Sequence, residues 1–161
     1  MKTVGKESLE AMRVADGKVA SLTADLRIAQ SQLAKLATDA IAALDTAQVR
    51  ALTTAALNAL GSDQLAALET EDVAALTTAQ LSALSTAQIQ QSWSTAQIAA
   101  LTTTQVQQGL TTDQIVALST AQVTALATNQ VAALTTDQLS AMETSDLRAM
   151  TSAQMAVLNT A

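Results

Sequence analysis

The chain has 161 residues, the size of one ordinary domain. It contains no Cys, His, Pro, Tyr or Phe and a single Trp, which removes the usual ligands of zinc, iron–sulfur and haem sites and any disulfide. Its net charge of −6 is uneven: residues 1–35 carry six basic groups against four acidic ones, whereas residues 36–161 carry ten acidic groups against Arg50 and Arg148.

An acidic surface of that kind repels a phosphate backbone, so no nucleic acid partner is expected. No stretch approaches the ~18 apolar residues of a membrane span. The first residues also lack the continuous apolar core of a Sec signal peptide. Export by a route without such a signal is compatible with this.

The first predicted element is a helical leader over residues 1–36. Met12, Ala15, Val19, Leu22, Leu26, Ala29, Leu33 and Leu36 alternate three and four apart, a heptad seam. The spacing predicts a helix over 19–36 and its extension over 8–18, with Asp16-Gly17 as a place where the chain could turn instead. Two roles suit it. It could fold back as a cap on the first repeat, since solenoid ends need covering, or it could dock on another subunit as an assembly segment.

Residues 37–161 form the second predicted domain, a phrase of eight residues said fifteen times. Its consensus is [T/S]-T-[A/D]-Q-[V/I/L]-x-A-L, as in Thr111–Leu118 and Thr135–Met142. Position one is a helix-capping residue at Thr53, Thr77, Ser85, Thr102, Thr111, Ser119, Thr135 and Thr151. Gln at position four completes a capping box, and the apolar residues before position one and at position five form a hydrophobic staple. Each phrase therefore announces a new helix start. A single continuous helix fails, because eight residues at about 100° each turn the Leu stripe round the rod. A β-solenoid ranks lower, because a strand would put positions five and eight on opposite faces, whereas a helix puts them on one.

The expected fold is thus all-α: a solenoid of very short helices, one per phrase, behind a longer N-terminal helix. So short a helix does not persist alone, and each is expected to pack on its neighbours. Position six should face solvent. The hydroxyl at position two is expected to bond a backbone carbonyl at the corner, or else to form a functional ladder.

Two phrases, Ser85–Trp93 and Thr102–Leu110, have nine residues and carry Gln pairs, Gln90-Gln91 and Gln107-Gln108. Ser92, Gly109 or a neighbour is expected to widen the corner there. The same residues, centred on Trp93, form a candidate interaction or bend site. After Leu158 the chain reads Asn159-Thr160-Ala161, the start of another phrase. Either the array continues in a longer one, or its open end receives another molecule; head-to-tail stacking would then give a fibre.

These phrases resemble the tandem octapeptide arrays, such as LTTAQVAAL, of large bacterial secreted or surface proteins often labelled haem-utilisation or adhesion proteins. The resemblance covers Ala37 onwards and implies a surface or extracellular setting. The haem label meets no His, Cys or Tyr here, and five scattered Met are poor axial ligands.

No catalytic constellation is visible, and no metal site, cofactor or enzymatic activity is expected. Without His or Cys, nucleophilic catalysis lacks its common base. Glu69, Glu71 and Asp72 do not form a calcium loop and suit a solvated helix start. The expected function is a structural or adhesive module, an extracellular spacer or filament subunit that self-assembles. Its partners would be itself, as a homo-oligomer or fibre, or another surface protein. The alternatives are a protein- or peptide-binding scaffold with exposed apolar residues around Trp93, and ice binding through the position-two hydroxyls.

Overall fold

A computed structural model describes the backbone of residues 4–158, and the side chains of that range except 4–9, 11, 29–31 and 33–36. The described residues are helical with short corners, and none lies in a strand. The chain divides into two compact units, one up to Asp39 and one from Ala40 onwards.

Helix α1 spans Val4–Ala42. It passes through Asp16-Gly17 unbroken, so the possible turn there does not form. No atom lies within 4 Å of where a Gly17 Cβ would sit. The helix also runs on past Leu36 into the first phrase, Ala37–Leu44. Ala37 has no side-chain oxygen and position four is Ala40, so both halves of the capping box are missing there. The first corner falls instead at Leu44-Asp45, where the Asp45 carboxylate accepts the Gln48 amide at 2.8 Å.

From Asp45 onwards each phrase forms its own helix of five to seven residues, from Thr46–Ala51 to Ser152–Leu158. Two successive extended residues make the corner. Leu84 (φ −64, ψ 143) ends one helix and Ser85 (φ −71, ψ 155) starts the next. No described residue has a positive φ. The corner therefore needs no glycine, and the array turns every eight residues with almost none.

Positions five and eight build one continuous core. Val49, Leu57, Leu65, Val73, Leu81, Ile89, Ile98, Val106, Val123 and Val131 are wholly buried at position five. Leu68, Leu76, Leu84, Trp93, Leu101, Leu110, Leu118 and Leu126 are buried at position eight. The two ends differ in a telling way. Position eight is only half-buried in the first phrases (Leu44, Leu52, Leu60), and position five opens in the last ones (Leu139, Leu147, then Met155 at 39% exposure). Position eight thus packs against the preceding turn, and position five against the following one.

The packing partner is not the neighbour in sequence, which corrects the expectation above. Thr46–Ala51 packs on Thr70–Ala75, Thr78–Ala83 on Gln105–Gly109, and Thr128–Ala132 on Ser152–Leu158. Each pair lies three phrases apart. Consecutive helices meet at a corner and diverge; the turn closes only after three to four phrases.

The nine-residue phrases do not widen their corners. In Ser85–Trp93 the extra residue extends the helix to Thr86–Ser92, and the Trp93 amide reaches the Ile89 carbonyl four residues back at 3.3 Å. In Thr102–Leu110 it is absorbed as a π-turn over Gln105–Gly109, closed by the Leu110 amide on the Gln105 carbonyl five back at 2.9 Å. In the eight-residue phrases the matching amide reaches three back, as from Leu84 to Leu81. A tighter or looser last turn keeps the corner in register. The insertion is stored in the helix, as π-turns elsewhere store theirs.

Candidate functional site

The position-one hydroxyl starts each helix. Thr77 Oγ1 accepts the Gln80 amide at 3.2 Å, and Gln80 Oε1 accepts the Thr77 amide at 2.8 Å. The same reciprocal pair joins Ser85 to Gln88, Ser94 to Gln97, Thr102 to Gln105, Thr111 to Gln114, Ser119 to Gln122, Thr135 to Gln138 and Thr151 to Gln154. Thr53, followed by Ala56 in place of Gln, keeps only the hydroxyl half. Gly61 and Ala127 keep only the Gln half.

From Gln80 onwards the other end of each position-four Gln does a second job. Gln80 Nε2 donates to the Val49 carbonyl at 2.9 Å and to that of Leu52 at 2.7 Å. Gln97 Nε2 reaches Leu65 and Leu68; Gln105 reaches Val73 and Leu76; Gln122 reaches Ile89 and Trp93. Gln130, Gln138 and Gln154 repeat the pattern on the carbonyls of positions five and eight, 28 to 32 residues back. These carbonyls end a helix four phrases earlier; the one at position five also takes an amide of its own last turn, as Leu81 does from Leu84, whereas the one at position eight lies past the helix and has no such partner. One amide therefore caps its own helix at the N-terminus and an earlier helix at the C-terminus. All its donors and its acceptor are used, in a site that is 1–3% exposed at Gln80, Gln97, Gln122 and Gln130.

Sequence reasoning found the cap and missed the clasp. The available signal was that position four holds Gln in eleven phrases and Glu in none. A capping box accepts either. Only the amide can also donate to two buried carbonyls.

Two phrases break this rule together. Glu69 with Asp72, and Glu143 with Asp146, replace the hydroxyl–Gln pair, and both Asp residues are buried. Asp146 accepts the Thr120 hydroxyl at 2.9 Å. Burial pushes the Asp72 carboxyl above its ordinary value of 3.8; the charges of Glu69, Glu71 and Asp45 push the same way, and the hydrogen bond with the Glu69 backbone opposes them. No group of His, Cys, Asp or Glu among the described residues could hold a metal ion.

The matching family is on the sequence axis of these same phrases. The ALTTAQ repeat matches residues 33–70, 41–78, 65–91, 78–108 and 108–144, overlapping stretches that together cover well over half of the chain. The chain belongs to the ALTTAQ repeat family. No curated protein and no solved structure is significantly similar to it. The ALTTAQ phrase now has a physical reading. Its first T is the cap, its Q is the clasp, its A lies at the end of the helix, and its L, the first extended residue of the corner, builds the core together with the aliphatic after Q.

The residues singled out around the long phrases of this ALTTAQ array part company. Trp93 and Ser92 are buried, as is Gly109, while Gln90, Gln91, Gln107 and Gln108 are exposed. An exposed apolar face centred on Trp93 is therefore not present. Trp93 Nε1 and Ser92 Oγ are buried without a hydrogen-bond partner. A Cβ on Gly109 would lie 2.8 Å from Leu81 Cδ2 and 3.4 Å from the Thr78 Cα, so the glycine permits close approach of the helix three phrases earlier. The position-two residues Thr46, Thr54, Thr86, Thr95, Thr103 and Thr112 are exposed. Thr120 bonds a side chain rather than a corner carbonyl. Position six is exposed at Asn58, Ser82 and Arg148, and Arg50 Nε donates to the Ala75 carbonyl at 3.0 Å. No helix among the described residues is long and apolar enough to cross a membrane.

Proposed function

We propose that this chain is a non-enzymatic structural module, an extracellular spacer or filament subunit that self-associates. One observation carries the reading. Nine glutamines, from Gln80 to Gln154, are spent on holding one turn of the array to the next, which leaves their amides nothing to offer a substrate. Nine of the fifteen phrases repeat that investment, so length can grow without a change of design. The burial of Trp93 removes the apolar platform that a peptide-binding scaffold would use.

Negative-stain microscopy and sedimentation of the purified chain test this. Elongated particles that associate with concentration are expected. Inserting four further phrases should lengthen each particle by a fixed increment. Compact particles that stay monomeric at high concentration would overturn the reading.

A further inference from the structure

Helix α1 carries the largest exposed apolar side chains of the described residues. Met12 is 67% exposed, Val19 62%, Leu22 61% and Leu26 59%, and all four lie on the heptad seam. From Met12 to Leu26 the seam runs about 21 Å along the helix at ~1.5 Å per residue. An apolar seam left in water is a pairing surface.

We propose that α1 pairs with α1 of a second copy of the chain, antiparallel, with Val19 opposite Leu22 of the other copy. The register follows from size and charge. Antiparallel seams set an a residue against a d residue. Centring the pair between Val19 and Leu22 sets Ala15 against Leu26 at both ends of the described overlap, so a small side chain always receives a large one. The same centring sets Lys18 against Asp25 of the other copy, twice, once on each side of the two-fold axis. It also brings Val14 level with Ile28, the two exposed apolar residues just off the seam on the side of Lys18 and Asp25.

The competing registers are penalised. A shift of one heptad one way places Lys18 against Lys18; a shift the other way places Asp25 against Asp25. Like charges facing each other across a coiled coil disfavour both. A parallel, in-register pair stacks Ala15 on Ala15 and sets Lys18 against Thr23, which wastes both the size match and the charge. The antiparallel pair is closed by its own two-fold axis. It joins two chains through their N-terminal helices and does not depend on any contact made by the phrases themselves.

Sedimentation equilibrium of the full chain is expected to show a dimer. Leu22→Asp should raise the dissociation constant at least about tenfold with an unchanged circular dichroism spectrum, since Leu22 is exposed. Lys18→Asp should weaken the dimer, and the double variant Lys18→Asp with Asp25→Lys should restore it. The chain has no cysteine, so crosslinks report register cleanly: a mixture of Val19→Cys and Leu22→Cys chains should form the mixed disulfide in preference to either homodimer. A monomeric parent chain, a dimer indifferent to Leu22→Asp, a charge swap that fails to restore pairing, or homodimeric disulfides from either cysteine variant alone would each overturn the proposal. Association that survives Leu22→Asp would locate self-assembly in the array and leave the structural reading standing without this interface.

Discussion

Gln114 Nε2 lies 2.7 Å from the carbonyl oxygen of Leu84, thirty residues earlier in the chain. The same nitrogen reaches the Leu81 carbonyl at 3.0 Å, while Oε1 of the same side chain holds the Thr111 amide at 2.9 Å. A single amide thus links the start of one helix to the end of another that the chain left four phrases before.

Gln114→Ala takes the side-chain donor from the buried Leu84 carbonyl, leaves the Leu81 carbonyl only the Leu84 amide, and removes half of a cap. It should cost about 1–3 kcal/mol. Gln114→Glu keeps the cap but turns a carboxylate towards two carbonyls. Burial and repulsion raise the folded-state pKa of the new Glu above its unfolded value of about 4.3. Its penalty should therefore be smallest below that value and grow as pH rises through the folded one. Urea denaturation of both variants from acid to neutral pH checks this. A penalty for Gln114→Glu that is equal at all pH values would refute the donor role of Nε2.

Asp72 is the natural counterpart. Its folded-state pKa is raised above the ordinary 3.8. A protonated Asp72 stabilises the array fully below the unfolded value, and that contribution is lost as pH climbs through the folded one. Asp72→Gln should stabilise the chain at neutral pH, by about 1 kcal/mol if one donor bond is gained, and the gain over the parent should shrink in acid. Thermal melts of parent and variant at both pH extremes decide it; a gain that grows in acid would contradict the assignment.

Gly109→Ala inserts a methyl 2.8 Å from Leu81 Cδ2. Overpacking of this kind costs about 1–3 kcal/mol. Leu81→Ala should cost more by itself, yet the double variant should be more stable than the sum of the two losses predicts. A double-mutant cycle by chemical denaturation measures the coupling, and strict additivity would mean that the helices can shift apart at no cost.

Trp93 is buried at 4% exposure and is the sole aromatic. Its fluorescence should be shielded from acrylamide in the folded chain and become quenchable in one step with unfolding. Easy quenching under native conditions would revive the exposed platform that the packing excludes.

Removing phrases one at a time from the C-terminal side tests the range of the coupling. Because helices pack three phrases away and clasps reach four, an array needs about one full turn before any clasp closes. The first clasp belongs to Gln80, in the sixth phrase, so the helicity of the array should fall abruptly once fewer than six phrases remain, in contrast to the gradual loss of a solenoid whose units touch only their neighbours. Circular dichroism of the truncated chains distinguishes the two.

The sequence determined by itself the local events. Thr111 followed by Gln114 marks where a helix starts, since the capping bonds span three residues. Val123 and Leu126, three apart, share a helix face by the geometry of the backbone alone. Tertiary structure decided what those local events add up to. That Gln122 answers to Ile89 and Trp93, that Gly109 must be small for Leu81, and that nine residues fit where eight do depend on which phrases the superhelix stacks together. A repeat is identical from phrase to phrase, so its pattern cannot say which copy meets which. Only the accumulated angle at the corners, two extended residues at a time, selects the partner three or four phrases on.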